Sequence, residues 1–327
     1  MFGDPRRGHP VAGFGRLADA LERRVYAPTR PAGVVFAGFA VGVPVLAATV
    51  AARATRHRPW LRAALVAGAT WAVLGGTSLR REGATMVGAL EAGDLPAARS
   101  RLSHLCGRDP STLDEPELAR ATIESVAENT SDAVVAPLFW GAVAGLPGLV
   151  GYRAANTLDA MVGHHSPRYA HFGTAAARLD DAANLVPSRL TGLLTGLAAP
   201  LAGGRAGEAL RVWRRDGMRH PSPNAGQCEA AMAGALGVRL GGRNVYFGRS
   251  EVRPHLGHGR RPGADDIRRA TRLSAAVGLA AAVLAVVWRA ARAGGAARAG
   301  GAARAGGAAR AGGACLARRA GRARRSR

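Results

Sequence analysis

The sequence contains no lysine, so all of its basic residues are arginine, and aromatic residues make up only 5% of it. Cysteine is also rare. Cys106, Cys228 and Cys315 are odd in number and form no CxxC pair, which excludes a disulfide scaffold. Hydrophobic residues reach 48% and are strongly clustered, which excludes disorder of the whole chain. The length of 327 residues allows one or two domains with a sizeable core.

Acidic residues are few, because 22 Asp and Glu are outnumbered by 45 basic residues, and the formal net charge is +23. The segment 289–327 alone holds 11 arginines and no acid, and RAGGAA repeats in it from Arg292 to Arg310. Such low complexity with nothing apolar to bury predicts a disordered Arg/Ala/Gly-rich tail over 289–327. Neither aromatic residues nor a nucleic-acid-binding fold accompanies the tail, so we expect no nucleic acid as a partner.

Long apolar stretches dominate the remainder of the chain. Five of them lack charged residues: Val34–Ala52, Ala63–Leu79, Ala133–Tyr152, Leu190–Gly204 and Leu273–Trp288. A helix needs about 17–25 apolar residues to cross a bilayer, a length that the first stretch reaches and the last two barely approach. The pattern predicts an all-α, multi-pass integral membrane protein in which residues 1–288 form one membrane-embedded domain with Pro/Gly-rich loops. Helices buried in a large soluble core are the alternative, and arginine placement does not decide sidedness.

A stripe of acids precedes the third apolar stretch. Glu124, Glu128 and Asp132 are spaced four residues apart on a predicted helix that starts near Asp114, so they lie on one face about 6 Å apart along the axis. Three such carboxylates repel one another, and they are unfavourable at a membrane boundary unless compensated. Mg²⁺, which takes carboxylate oxygens together with substrate phosphates, would relieve this repulsion. A solvated helix face is the alternative.

Further polar residues recur in three later segments. Two triplets have a spacing of three residues: Arg153, Asn156 and Asp159 in the first, and Arg178, Asp181 and Asn184 in the second. In the third segment Pro221 and Pro223 forbid a helix, and Asn224 begins a donor-rich bend. No Walker loop or GxGxxG motif is present, so the sequence contains no recognised nucleotide cradle.

Several of these motifs resemble one family in the same order along the chain. They are GDPRRGHPV at 3–11, ARATIESVAENTSDAVVAPLFW at 119–140, YRAANTLDAMVG at 152–163, ARLDDAANLVPSRL at 177–190, HPSPNAG at 220–226 and EAAMAGALGVRLGG at 229–242. The chain resembles the cobalamin-biosynthesis membrane proteins of the CobD/CbiB family, adenosylcobinamide-phosphate synthase, from Gly3 to Trp288. The resemblance implies a multi-pass enzyme of the inner (plasma) membrane. This ligase joins aminopropanol, or its O-phosphate, to a propionate carboxylate of adenosylcobyric acid as an amide, and other cobalamin-biosynthesis enzymes are possible partners.

This chemistry suggests roles for the acidic stripe. Amide formation from a carboxylate and an amine is uphill in water, so we expect ATP with Mg²⁺ to activate the corrinoid carboxylate as an acyl phosphate. Glu124, Glu128 and Asp132 suit Mg²⁺ binding or acceptance of the ammonium proton, and we treat them as catalytic. Asn129 would orient one of these carboxylates or the amide oxygen.

The later polar residues are candidates for substrate binding. Arg153, Arg178 and Arg189 suit phosphate, which a planar guanidinium binds bidentately. Asp159, Asp180 and Asp181 would ligate a second metal or hold those arginines. The remaining candidates for the corrinoid or nucleotide pocket are Asn156, Asn184, Ser222 and Asn224.

Bringing these residues into one site limits the topology. If all five apolar stretches crossed the membrane, 152–189 would lie on the opposite side from 80–132 and 205–272. We therefore predict that Ala133–Tyr152 and Leu190–Gly204 are re-entrant or buried in the protein. A transporter, or a non-catalytic membrane component of a corrinoid assembly complex, is the alternative function. A transporter should show internal repeats of its spans, and we see none.

Overall fold

The computed structural model describes residues 9–164, 166–246 and 249–323, with side chains as far as residue 295. The chain divides into a unit over Met1–Ala282 and a second over Val283–Arg327. The helices are α1 (Pro10–Val25), α2 (Arg30–Ala54), α3 (Pro59–Val73), α4 (Gly76–Glu91), α5 (Leu95–Leu102), α6 (Glu115–Thr130), α7 (Ala136–Leu158), α8 (Thr174–Ala198), α9 (Ala206–Asp216), α10 (Ala225–Leu236) and α11 (Ala264–Ala323). Strands β1 (Leu240–Tyr246) and β2 (Arg249–Leu256) form an antiparallel hairpin.

Local sequence signals set the helix starts. The side chain of Asp114 accepts a hydrogen bond from the Glu117 backbone N–H at 2.9 Å and caps α6, and Pro116 follows in the first turn. Thr29 caps α2 in the same way, with Pro31 in the first turn. The predicted start of the acidic helix is therefore confirmed.

Four helices are long and apolar enough to cross a membrane: Arg30–Ala54, Glu115–Gly163, Thr174–Ala202 and Ala264–Gly295. Large apolar side chains project from α2 without protein cover, namely Val34, Phe39, Val43, Leu46 and Val50. Such a broad exposed apolar surface is typical of contact with lipid. The prediction of an all-α membrane protein with several spanning helices is confirmed.

The stretch Ala63–Leu79 is not one of these four helices. Helix α3 has 15 residues and ends at Val73, and α4 begins at Gly76. Fifteen helical residues extend about 22 Å, which is less than the hydrocarbon thickness of about 30 Å. Gly75-Gly76 interrupt the apolar run, so hydropathy alone predicted a longer helix than the one that forms.

The stretch Ala133–Tyr152 turns back on itself. Gly145 has φ +68° and ψ −150°, a conformation that glycine tolerates, and Pro147 follows it. The Tyr152 hydroxyl donates to the backbone carbonyl of Asp132 at 3.2 Å, although 20 residues of straight helix would separate them by about 30 Å. The chain therefore makes a helical hairpin at Gly145, and this turn agrees with the prediction that the stretch is re-entrant or buried in the protein.

The stretch Leu190–Gly204 differs from its prediction. Most of it forms the second half of the continuous helix α8, followed by a single 3-10 turn over Ala199–Ala202. It is buried along one face and is not a separate re-entrant element. Pro187 lies within the helix and removes the N–H that would bond the Ala183 carbonyl, and this carbonyl instead accepts a hydrogen bond from Nε1 of Trp140 at 3.0 Å.

Helix α11 extends into the segment 289–327, for which the sequence predicts a disordered tail. The helix runs to Ala323, and alanine and arginine are both strong helix formers. Nothing is described of the side chains beyond residue 295.

A buried carboxylate fastens the end of α9 to the loop after β2. Asp216 is fully buried and accepts hydrogen bonds from the Arg215 guanidinium at 2.8 and 2.6 Å and from the Gly257 N–H at 2.9 Å. The hydrogen bonds from Arg215 hold the pKa of Asp216 at about 2. Its ionised form therefore stabilises the fold above the ordinary Asp pKa of about 3.9, and this contribution is lost as the pH falls through about 2.

We expect Asp216→Asn to lower the free energy of unfolding by about 2 kcal/mol at neutral pH. Thermal unfolding in detergent should show a constant difference in Tm from about pH 8 to about pH 5, narrowing at lower pH. Asp265→Asn is the matched control, because that side chain is 87% exposed in its pair with Arg268. Equal Tm values for wild type and Asp216→Asn at neutral pH would contradict the assignment.

Candidate functional site

The site is a cavity of about 100 Å³ between α6, the end of α7, α8 and the start of α10. Its lining residues are Glu128, Ser131, Asp132, Asp159, Asp180, Asp181, Asn184, Ser188, Ser222, Asn224, Ala225 and Cys228. Five of these are carboxylates, and none is basic. Five carboxylates around a cavity of this size repel one another, so the cavity favours a cation.

Two of the carboxylates lie on short π-helical turns. Asp132 belongs to the segment Ser131–Val135 between α6 and α7, and Asp159 to the segment Asp159–Gly163 at the end of α7. The wider π turn shifts the helical register, and such turns occur frequently at functional sites. The helical spacing in the sequence gave no sign of either turn.

Gly163 leaves room for Asp159. A Cβ atom at residue 163 would lie 1.9 Å from Oδ1 of Asp159 and 2.8 Å from its Cγ. Any side chain there must displace the Asp159 carboxylate from its present position.

We expect Gly163→Ala to lower the activity of the site about 10- to 100-fold, because Asp159 is pushed aside. The measurement is kcat/KM in the synthesis assay proposed below, with circular dichroism to show that the helices are retained. Gly38→Ala on α2 is the control, since a Cβ there meets nothing within 4 Å. Equal activity of the two variants would contradict the role of Gly163.

Amide and hydroxyl groups orient the carboxylates of α8. Asp180 accepts hydrogen bonds from Nδ2 of Asn156 at 3.2 Å and from Nδ2 of Asn184 at 3.0 Å. Oδ1 of Asn184 in turn accepts from the Tyr152 hydroxyl at 3.0 Å. Tyr152 thus joins the two arms of the hairpin to α8, and sequence reasoning did not single it out.

The loop before α10 closes the cavity against α8. Nδ2 of Asn224 donates to the backbone carbonyl of Asp181 at 2.9 Å and to its carboxylate at 3.3 Å. The Ser188 hydroxyl donates to Oδ1 of Asn224 at 3.1 Å. The side chain of Ser222 accepts from the backbone N–H of Ala225, the first residue of α10, at 3.1 Å. These contacts account for the Pro- and Asn-rich composition of the loop.

Most of the predicted site residues are brought together here. Those that line the cavity are Glu128, Asp132, Asp159, Asp180, Asp181, Asn184, Ser222 and Asn224. Asn156 contacts the cavity through Asp180. Asn129 lies beside it on α6, where its amide donates to the Ser125 carbonyl at 2.9 Å.

Glu124 lies one turn before the cavity and is buried. Its carboxylate pairs with Arg108 and with Arg120, the latter at 3.3 Å, and it accepts the Gly241 N–H at 2.7 Å. Arg120 also donates to the Gly241 carbonyl at 2.7 Å and to Oδ1 of Asn244 at 2.9 Å. Glu124 therefore anchors the β hairpin to α6 and does not contribute to the cavity lining.

The three predicted phosphate-binding arginines are not gathered in one place. Arg178 is exposed on α8, and Arg153 lies along a separate apolar groove, with Nη1 at 3.4 Å from Oδ1 of Asn156. Arg189 lies beside the cavity, because its Nη1 lies 3.4 Å from the hydroxyl of the lining residue Ser188. The cavity lining itself contains no cation and does not fit a polyphosphate.

The carboxylate oxygens of the cavity lining are the kind of ligand that Mg²⁺ binds. Carboxylate oxygens are its preferred protein ligands, and it commonly uses only one or two of them together with water and substrate phosphate. Within the described residues, no three His, Cys, Asp or Glu side chains are grouped so as to hold one ion. Glu128 and Asp132 would hold either Mg²⁺ or an ammonium group, and not both at once, whereas both oxygens of Glu124 already accept from donors.

Sequence reasoning did not identify a second buried cluster, which includes Glu229 on α10. Glu229 is 1% exposed, and His220 and Arg253 lie beside it. In the sequence, Glu229 stands in an Ala-rich run and Arg253 in an unremarkable strand, so only the His of HPSPNAG gave any signal.

Spanning apolar helices and an internal acidic cavity define an integral membrane protein with a buried polar site. The CobD/Cbib protein family matches residues 1–274. The chain is 55% identical to cobalamin biosynthesis protein CobD of Mycobacterium tuberculosis, over 88% of this chain and 91% of that protein. It is 49% identical to the CobD protein of Geobacter metallireducens, over 80% of this chain and 84% of that protein. It is 45% identical to the CobD protein of Rhodobacter capsulatus, over 86% of this chain and 91% of that protein. No solved structure matches. The chain belongs to the CobD/Cbib family, a family of cobalamin biosynthesis.

Proposed function

We propose that the protein forms an amide between a propionate carboxylate of adenosylcobyric acid and the amine of aminopropanol or its O-phosphate. The product is adenosylcobinamide or its phosphate. The protein carries out this reaction in the cell membrane. The single observation that supports this most is the small cavity lined by five carboxylates. It has room for a small aliphatic ammonium and none for a corrin ring, which would lie outside with its propionate directed inward.

Charge favours the amine in this cavity. An ammonium group among Glu128, Asp132 and Asp181 would relieve the repulsion that these carboxylates otherwise exert on one another. Asp180, held by the Asn156 and Asn184 amides, keeps a fixed position opposite α6. The phosphate of an aminopropanol phosphate would be repelled from the lining and placed at the mouth, where Arg189 lies beside the cavity.

The reaction needs proton acceptors at the amine. The ammonium must lose one proton to become a nucleophile, and the same nitrogen loses a second as the amide forms. We assign Glu128 and Asp132 as the proton acceptors, since both line the cavity and are four residues apart in the sequence. ATP with Mg²⁺ would supply the activation of the corrinoid carboxylate as an acyl phosphate, whose acyl–oxygen bond breaks and releases phosphate as the amide bond forms. No residue of the cavity is assigned to the polyphosphate, because the lining has no cation.

The direct test is a product assay. Purified protein in detergent is incubated with adenosylcobyric acid, aminopropanol phosphate, ATP and Mg²⁺, and the corrinoid mass is followed. We expect a gain equal to one amide-linked aminopropanol phosphate, or one aminopropanol when the free amino alcohol is supplied. Absence of both products from folded protein would contradict the proposal, and omission of ATP is the control for activation.

A further inference from the structure

Glu229 is a buried carboxylate with an unsatisfied oxygen. The residue is 1% exposed, its Oε2 has no hydrogen-bond partner, and its Oε1 lies 3.8 Å from Nε2 of His220. An ionised carboxylate without donors is strongly disfavoured inside a protein. Burial therefore raises the pKa of Glu229 well above its ordinary range, and the charges of Glu124 and Glu128 raise it further. Burial thus favours the neutral acid over the carboxylate at Glu229.

His220 connects Glu229 to the loop that closes the cavity. Its Nδ1 accepts the Ser222 backbone N–H at 3.0 Å, and its Nε2 lies 3.2 Å from Nη1 of Arg253. Burial and the Arg253 charge lower the pKa of His220, so the imidazole is neutral too. Ser222 in turn accepts the Ala225 N–H at the start of α10 and lines the cavity with Asn224. A continuous chain of contacts thus leads from Glu229 to the cavity wall.

We propose that Glu229 is a positioning residue of this site: through its buried contact with His220, it keeps the loop 220–224 in place against α8. The inference rests on the amide synthesis proposed above and adds a residue outside the cavity to it. Ionisation of Glu229 would attract Arg253 away from His220 and add a negative charge behind Glu128. Both changes would loosen the closing loop.

The charged and titratable groups that face Glu229 come from several elements. They are Glu124 and Glu128 on α6, Arg108 before α6, Arg253 on β2 and His220 in the loop. The two acids disfavour ionisation of Glu229, and the two arginines oppose this effect. A variant at Glu229 that cannot ionise removes the coupling without removing the side-chain volume.

The test compares Glu229→Gln with Glu229→Ala in the product assay over a range of pH. We expect Glu229→Gln to keep the wild-type kcat/KM at neutral pH and to shift the alkaline limb of its profile upward by about one pH unit or more. Glu229→Ala should lower kcat/KM about 10- to 100-fold, because the loop is no longer held. Glu208→Gln, a half-exposed acid on α9, is the control and should leave the profile unchanged.

Two results would overturn the inference. One is a folded Glu229→Gln variant as inactive as Glu229→Ala, which would show that the acid itself is required. The other is a Glu229→Ala variant with the wild-type profile, which would show that Glu229 does not position the loop.

A second measurement is independent of the reaction. A raised carboxyl pKa makes the wild type lose stability as the pH rises above about 4.3. The Tm of Glu229→Gln minus the Tm of the wild type should therefore increase with increasing pH. If wild-type protein makes no amide but this gain is observed, the proposed function fails and the neutral state of Glu229 still holds. A difference in Tm that does not change with pH would contradict the neutral state.

Discussion

Replacing Glu128 with glutamine should lower amide synthesis about 10²- to 10⁴-fold, the range expected for the loss of a group that accepts a proton in the reaction. Glu128 lines the acidic cavity, and glutamine keeps its size while removing its charge and its basicity. The measurement is the initial rate of corrinoid mass gain with purified variant and wild type at equal protein concentration.

Glu115→Gln is the matched control for this substitution. Glu115 is exposed in the first turn of the same helix, far from the cavity, and its loss should not change the rate. Thermal unfolding of both variants separates a chemical effect from misfolding. A folded Glu128→Gln protein with the wild-type rate would remove Glu128 from the reaction.

Replacing Arg120 with methionine should destabilise the protein by about 3–5 kcal/mol, because it leaves buried charge uncompensated. Arg120 pairs with Glu124 and also donates to the Gly241 and Arg243 carbonyls and to Asn244. One substitution therefore removes the joint between α6 and the β hairpin. Denaturant unfolding in detergent measures the loss.

The control for Arg120 is an exposed ion pair nearby. Arg261 and Asp114 are both about half exposed, so Arg261→Met should change the free energy of unfolding by less than about 1 kcal/mol. Equal effects of the two substitutions would contradict the anchoring role of Arg120.

The helices and the grouping of the motifs could be predicted from the sequence. Apolar length identified the spans, and the Asp114 cap marked the start of the acidic helix. The requirement that the motifs form one site predicted the turn within Ala133–Tyr152, although its position at Gly145 depends on a backbone conformation that composition does not reveal. The same requirement misjudged Leu190–Gly204, which continues a straight helix.

Parts of the site could not be predicted, because helical periodicity assumes regular geometry. Helical periodicity did not show the two π turns that carry Asp132 and Asp159. Of the predicted stripe, Glu128 and Asp132 line the cavity, whereas Glu124 is held away from it by its ion pairs. Glu124 pairs with Arg120 one turn earlier on the same helix and with Arg108, which only the tertiary fold brings to it.

The central claim is that the acidic cavity holds the ammonium end of the amino alcohol. Calorimetric titration of the purified protein with aminopropanol, and with propane-1,2-diol as the uncharged analogue, tests it directly. We predict that aminopropanol binds the wild type, binds Glu128→Gln and Asp181→Asn more weakly, and that the diol does not bind. Equal affinity of aminopropanol for the wild type and both variants, or equal affinity of the wild type for amine and diol, would contradict the claim.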